Sequence, residues 1–250
     1  MLRTEDLERA LAEAGLTAPV RADEVTGSTN ATALELAEGG CPEWTLVSAA
    51  HQSAGRGRLG RTWQDGPGEA LLCSFVLRPA LPPTSAGLLT VLAGACLAEA
   101  ARSLGVSAGC KWPNDLMTPA GKAGGILAET VVAGQAIRHV VIGTGVNLGE
   151  PPAVPGASAL PGVTAAPLLR RYLAAFARRY TPNEPGFAAG VLGAARAVSW
   201  TLGRQVEAAR AGGDAVAGTA IDLDAEGGLV VDTVRGPITL AFGEVAHVRR

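Results

Sequence analysis

The stretch with the most chemistry in it is Gly55-Arg56-Gly57-Arg58-Leu59-Gly60-Arg61. Guanidinium groups this close repel one another and cannot all find partners inside a core. Their planar forks match phosphate and carboxylate oxygens, in charge-assisted hydrogen bonds worth roughly 1.5–3 kcal/mol each. The interleaved glycines let the backbone approach a ligand and adopt positive φ. The segment predicts a loop that closes over a triphosphate or a phosphoryl adenylate, and that is mobile without one, since ordering glycine is entropically costly. The alternative is a solvated basic loop with no role. The string G-x-G-x-x-G also occurs here, but a dinucleotide site needs a helix to open at its third glycine. Thr62-Trp63-Gln64-Asp65-Gly66-Pro67-Gly68 follows instead. Nicotinamide binding is therefore excluded, and no Walker A string exists for a P-loop.

Lys111-Trp112-Pro113-Asn114-Asp115 follows a short apolar run. Pro113 disfavours a helix and extends Trp112, which aims a cation, an amide and a carboxylate from one strand end. Lys111 suits the charge that builds on phosphorus in a transition state. Asp115 suits Mg²⁺ or the orientation of an attacking amine. Lys122 precedes Gly124-Gly125 and the apolar run to Glu129, so it suits a carboxylate or phosphate. Gly143-Thr144-Gly145-Val146-Asn147 ends another apolar run, and Asn147 there serves either a ligand or a turn. The histidines His51, His139 and His247 form no set with a nucleophile, and they are given no catalytic role. Cys41, Cys73, Cys96 and Cys110 form no CxxC pair, so they read as small buried thiols in a reduced protein.

These groups need elements to carry them. Residues 4–15 read as an amphipathic helix closed by Gly15, and Thr32–Glu38 as a second, with Ser28, Thr29 and Asn30 as N-cap candidates. Leu46–Ala50, Leu71–Leu77, Gly125–Val132 and Ile137–Val146 read as core strands. Ser85–Leu104 reads as a buried helix. The uncharged run Pro79–Ala98 contains Pro82 and Pro83, which fits a loop and core helix better than a membrane span. Ala166–Tyr180 and Pro185–Ser199 read as helices, and Gly149–Pro167 as a loop. After Leu202 come the short runs Gln205–Arg210, Ala215–Leu223, Leu229–Val234 and Ile238–Val245, separated by turns at 211–214, 224–228 and 235–237. They suggest a small SH3-like barrel, and so a division into residues 1–200 and 201–250.

Bulk properties bound the rest. The chain is 48% apolar but only 4% aromatic, so its core relies on Leu, Val and close backbone packing. A formal net charge of −2 argues against a general nucleic-acid binder. The start, Met1-Leu2-Arg3-Thr4-Glu5-Asp6, is charged at once and unlike a signal peptide, so a cytoplasmic setting with no membrane partner is expected.

The ordered set of Ser28-Thr29-Asn30, Gln52 to Arg61, Lys111 to Asp115, Lys122 to Glu129 and Gly143 to Asn147 resembles the biotin–protein ligases. The likeness is tight over residues 20–148 and one of pattern only in the tail. It implies an α+β fold: a mixed central sheet flanked by helices, like the class II aminoacyl-tRNA synthetase core, with a small C-terminal SH3-like β-barrel. It implies adenylation of biotin by ATP with Mg²⁺, then transfer to a lysine of the biotin carboxyl carrier domain of an acyl-CoA carboxylase.

Carried over by position, the biotin contacts are Ser28, Thr29, Asn30, Gln52, Arg56, Gly57, Arg58 and Lys122. The nucleotide contacts are Arg58, Arg61, Trp63, Lys111, Asn114 and Asn147, and Asp115 is the metal candidate. Arg56, Lys111 and Lys122 would act on the reacting groups. Some members carry an N-terminal helix-turn-helix. Ser28 comes too early to leave room for one, so no repressor role is expected. Edge strands would allow a homodimer. A lipoate–protein ligase or octanoyl transferase is the nearest alternative enzyme, and a non-catalytic sensor of biotin or its adenylate is the alternative of another class.

Overall fold

The computed structural model describes residues 1–66, 68–209, 215–241 and 244–247. Leu7, Ala10 and Leu11 share one face of α1 (Thr4–Glu13), at helical spacing, and are buried. β1 (Val20–Thr26) follows, and α2 (Thr29–Glu38) crosses to β2 (Leu46–Gln52), which pairs parallel with β1. β3 (Ala70–Leu77) is buried at every position. Pro82 and Pro83 stop the chain before α3 (Ala86–Ser103), where alanine and glycine let neighbours approach. Short strands β4 (Gly109–Lys111) and β5 (Asp115–Thr118) lead into the long hairpin β6 (Gly121–Ala133) and β7 (Ala136–Asn147). A loop then reaches α4 (Ala165–Arg179) and α5 (Phe187–Ala197).

The seven strands form one mixed sheet in the order β1-β2-β3-β7-β6-β5-β4. Strand periodicity decides which residues face which layer. On β7, Val140, Ile142 and Val146 enter the main core with α1, α3, α4 and α5. Val141 faces the other way and joins Ala33 and Ala37 of α2 with Val47 and Val76. The next residues on that second face are Gly143 and Gly145, so the face passes from an apolar layer to a polar hollow along a single strand. Four of the few aromatic residues, Trp44, Phe75, Tyr172 and Phe176, cluster on the main-core face. The α3 helix is long and apolar enough to cross a membrane, yet most of it is buried inside this fold.

The remaining strands are β8 (Gln205–Ala209), β9 (Ala215–Leu223), β10 (Leu229–Thr233), β11 (Gly236–Leu240) and β12 (Glu244–His247). They form a five-stranded antiparallel sheet in the order β11-β10-β9-β8-β12, as expected of an SH3-like unit, with no closure between β11 and β12 among the described residues.

Several expected elements are corrected. The run Ile238–Val245 is not one strand but parts of β11 and β12. The turn expected at 235–237 is Val234-Arg235, because Thr233 pairs with Gly236. Pro237 lies inside β11, which is tolerated because β11 is an edge strand. The second helix begins at Thr29 rather than Thr32. The turn expected at 211–214 lies outside the described residues.

Candidate active site

The first turn of α2 carries functional side chains rather than caps. Ser28 holds the N-cap position in extended form, but its side chain makes no cap bond. Thr29 donates to Gln52 Oε1 from its backbone N–H at 2.7 Å and from its hydroxyl at 3.1 Å. That fixes the Gln52 amide with its oxygen toward the helix. Ser74 Oγ lies 2.8 Å from Thr29 Oγ1 and 2.7 Å from Asn30 Oδ1, and its single proton serves one of the two. Asn30 Nδ2 donates in turn to Leu127 O at 3.1 Å and Glu129 Oε2 at 2.7 Å. Ser28, Thr29 and Asn30 are buried, so this relay is screened from water.

The arginine loop folds as a small hairpin. Trp63 N–H donates to Gly55 O at 2.9 Å, and Gly57 N–H to Arg61 O at 2.7 Å. Leu59 sits at its tip with φ 57°, exposed. Arg56 Nη2 meets Glu129 Oε2 at 2.8 Å, and Arg58 Nη1 donates to Asn114 Oδ1 at 3.0 Å. Each guanidinium thus reaches across the hollow to the β6 side. The loop's two stems are tied by Asp65, whose carboxylate meets His51 Nδ1 at 2.9 Å and the Gln52 N–H at 3.4 Å.

Lys111 ends β4 and Asp115 begins β5, and Trp112 between them borders the cavity while most of its side chain is buried. Its backbone N–H donates to Thr201 Oγ1 at 2.9 Å and its indole N–H to Gly227 O at 2.8 Å. Asn114 is held by exchange with Ile126: its Nδ2 donates to Ile126 O at 2.8 Å and its carbonyl accepts from Ile126 N at 2.9 Å. Lys122 Nζ lies 2.6 Å from Asp115 Oδ1.

Glycines make the floor. A Cβ at Gly143 would overlap Asn30 Oδ1. One at Gly145 would lie 2.7 Å from Trp63 Cε2, and one at Gly124 would lie 2.8 Å from Gly145 O. Thr144 between them points into the core, 3.2 Å from the Tyr172 hydroxyl. The result is a cavity of about 180 Å³.

Ser28, Thr29, Asn30, Gln52, Arg56, Gly57, Arg58, Arg61, Trp63, Lys111, Asn114, Asp115 and Lys122 all line this cavity. Asn147 does not; its amide nitrogen donates to Ser158 O at 2.8 Å. Sequence reasoning missed Ser74 and Glu129. Ser74 carried a signal, as a lone polar residue within an apolar run, and Glu129 as a charge within a strand that is otherwise uncharged after Lys122. Sequence reasoning also missed Asp65, which nothing in its neighbourhood marks.

Among the described residues no histidine or cysteine lines the cavity. Burial pushes the nearby Cys110 thiol up to about 12, so it is inert as a nucleophile. The arrangement can therefore position reactants and stabilise negative charge. Among the described residues no three His, Cys, Asp or Glu gather as a metal site. Among the described residues Asp115 is the one carboxylate lining the cavity. That fits a Mg²⁺ held by one carboxylate and substrate phosphates, and it does not fit a structural metal.

The biotin/lipoate A/B protein ligase family model matches residues 23–147, a span that contains every residue lining the cavity. The biotin protein ligase C-terminal domain matches residues 201–248. The chain belongs to the biotin/lipoate A/B protein ligase family. A biotin–[acetyl-CoA-carboxylase] ligase of Mycobacterium tuberculosis is 35% identical, over 90% of this chain and 87% of its own length. The bifunctional ligase/repressor BirA of Bacillus subtilis is 38% identical over 52% of this chain, a match that spans only 40% of that relative. In fold the chain is similar to a biotin protein ligase from Aquifex aeolicus, solved in complex with biotin and ATP. The TM-score is 0.73 at 22% identity, covering 93% of this chain and 99% of that one.

In this family member the second matched segment begins at Thr201, the residue that accepts the Trp112 N–H. The two matched regions therefore meet at the residue next to Lys111.

Proposed function

We propose that this chain is an ATP-dependent biotin–protein ligase. In this reading it forms biotinyl-5′-AMP and passes the biotinyl group to a lysine of a biotin carboxyl carrier domain. The observation that carries it is the convergence of Arg56, Arg58, Lys111 and Lys122 on one glycine-floored cavity that ends in the Gln52–Thr29–Asn30 relay. A neutral polar head fits the relay end, and a carboxylate and phosphate fit the cationic end. The Mycobacterium tuberculosis relative, named a biotin–[acetyl-CoA-carboxylase] ligase, supports the choice of biotin and of carrier.

The chemistry follows from the placement. Lys122 holds the biotin carboxylate beside the α-phosphate. The carboxylate oxygen attacks phosphorus and pyrophosphate leaves. Lys111 and Arg58 offset the negative charge that develops, in a site where such charges act strongly. Asp115 would hold a Mg²⁺ bound with the nucleotide, and that ion would offset phosphate charge. The Arg56–Arg61 hairpin covers the anhydride and keeps water away. The carrier amine then attacks the acyl carbon and AMP leaves. Trp63 and Asn114 border the nucleotide, and Asn147 acts on it only through the strand it ends.

No operator-binding role is assigned, in keeping with the formal net charge of −2. A cytoplasmic setting fits the four free cysteines.

The test is mass spectrometry of a carrier domain incubated with the chain, biotin, ATP and Mg²⁺. One added biotinyl mass on the carrier lysine is expected. Pyrophosphate release with no mass on the carrier would favour a sensor. Calorimetry with lipoate and biotin separates the nearest enzyme alternative: tight lipoate binding without biotin binding would reject the proposal.

A further inference from the structure

Glu129 stands outside the cavity lining, yet one of its oxygens joins the cavity's two ends. Its Oε2 accepts from Asn30 Nδ2 at 2.7 Å and from Arg56 Nη2 at 2.8 Å. A carboxylate oxygen has lone pairs for both donors. The first donor belongs to the neutral relay and the second to the arginine hairpin. Glu129 is on β6, two residues beyond Leu127, whose carbonyl also accepts from Asn30 Nδ2, at 3.1 Å. Both hydrogens of that amide are therefore committed to β6.

The two donors differ in freedom. Asn30 is 3% exposed, and Gly143 leaves the space that its Oδ1 occupies. A turned amide would set Oδ1 against the Leu127 carbonyl and the Glu129 carboxylate, acceptor against acceptor. The Arg56 side chain is 42% exposed, on a glycine-rich hairpin. An ion pair that open holds little by itself. Asn30 orders the carboxylate first, so Arg56 docks on an acceptor that is already placed. The hold on Asn30 is itself divided. The Ser74 hydroxyl has one proton for Thr29 Oγ1 and Asn30 Oδ1, and it restrains the amide in only one of its settings. A polar head group that donates at this end removes the competition.

We infer that Glu129 is a positioning residue that couples occupancy of the relay end to docking of the Arg56–Arg61 hairpin. The inference deepens the reading that the neutral head of biotin sits at that end, and it rests on that reading. Asn30 lines the cavity, so a bound head group bears on its amide. The amide orders the Glu129 oxygen, and the oxygen receives Arg56. The coupling is reciprocal: a docked hairpin tightens the hold on the head group by the same factor. A carboxylate that only anchored the hairpin would hold it equally whether the relay end were filled or empty.

Trypsin cuts after Arg56, Arg58 and Arg61 when the hairpin is open, and peptide mass mapping locates the cuts. Biotin alone is the probe, at a saturating level set for each chain by calorimetry. The readout is the ratio of cutting rates without and with biotin. For wild type this ratio is expected to be about ten or more, within the usual range of coupling between sites. Glu129→Ala should still bind biotin, yet its ratio should fall below about two. A Glu129→Ala chain that is cut faster but keeps the wild-type ratio marks a plain anchor and overturns the inference. A wild type that binds biotin and is cut no more slowly overturns it too. Failure of the wild type to bind biotin at all overturns the reading of the site, and the inference falls with it. Should Glu129→Ala not fold or not bind, Glu129→Gln decides. It keeps an amide oxygen for Asn30 and loses the charge that draws Arg56, so its ratio should be clearly below that of wild type; an unchanged ratio refutes the coupling.

Discussion

The indole N–H of Trp112 donates to the Gly227 carbonyl at 2.8 Å, which ties the residue after Lys111 to a turn of the C-terminal sheet. The same tryptophan gives its backbone N–H to Thr201, a fully buried residue. The turn is itself rigid, since Asp224 Oδ1 accepts from the Glu226 and Gly228 N–H groups. The C-terminal unit thus fixes the strand end from which Lys111 projects.

Thr201→Val strands a buried N–H, a loss of about 1–3 kcal/mol. It is expected to raise KM for ATP more than KM for biotin, because Lys111 lies at the phosphate end. Thr201→Ser keeps the acceptor and should restore both. Steady-state pyrophosphate release across the two substrates measures this, and equal changes in both KM values would contradict it.

Gly143→Ala places a methyl on Asn30, where the floor meets the polar relay. Biotin binding is expected to weaken about tenfold or more, equivalent to about 1.4 kcal/mol. Calorimetry with biotin reads the effect. Gly134→Ala, in the turn beyond the cavity with open space around it, is the control for added bulk; only its left-handed φ of 64° is strained.

Arg56→Ala removes the guanidinium that reaches Glu129 from the hairpin. The pair is partly exposed, with side chains 42% and 27% accessible, so the melting midpoint should barely move. Retention of the adenylate should suffer instead, with release about ten- to a hundredfold faster from one lost charge-assisted contact. Chasing labelled adenylate from the complex by gel filtration gives the rate.

His139 is buried, and neither ring nitrogen has a hydrogen-bond partner among the described residues. Burial, with Arg78 and Arg138, holds its pKa below the ordinary 6.5. Folding thus favours the neutral ring. Stability from this group is complete above the unfolded value and falls as pH drops below it toward the folded value. His139→Leu should flatten that acid-side loss and stabilise by about 1 kcal/mol. Urea midpoints at about pH 5 and about pH 7.5 test the slope.

The cationic half of the site was legible because arginine and lysine beside glycine are poor core formers and poor helix formers at once. Its neutral half was only partly so. Thr29 and Asn30 look like caps in sequence, and their use inside the helix depends on Gln52 and Ser74 arriving from other strands. β1 was missed because Arg21, Asp23 and Glu24 interrupt its alternation, as befits an edge strand with one partner. β5 was missed because four residues carry no period. Asn147 sits at a strand end like a ligand, yet the loop after it supplies Ser158 as its partner.

A binding site hollowed by leaving side chains out can be narrowed by any mutation but widened by none at the same positions. Gly143 and Gly145 already present the smallest residue there is. A variant chain accepting a bulkier acyl group must therefore gain its room from side chains facing the glycines, and never from the floor itself.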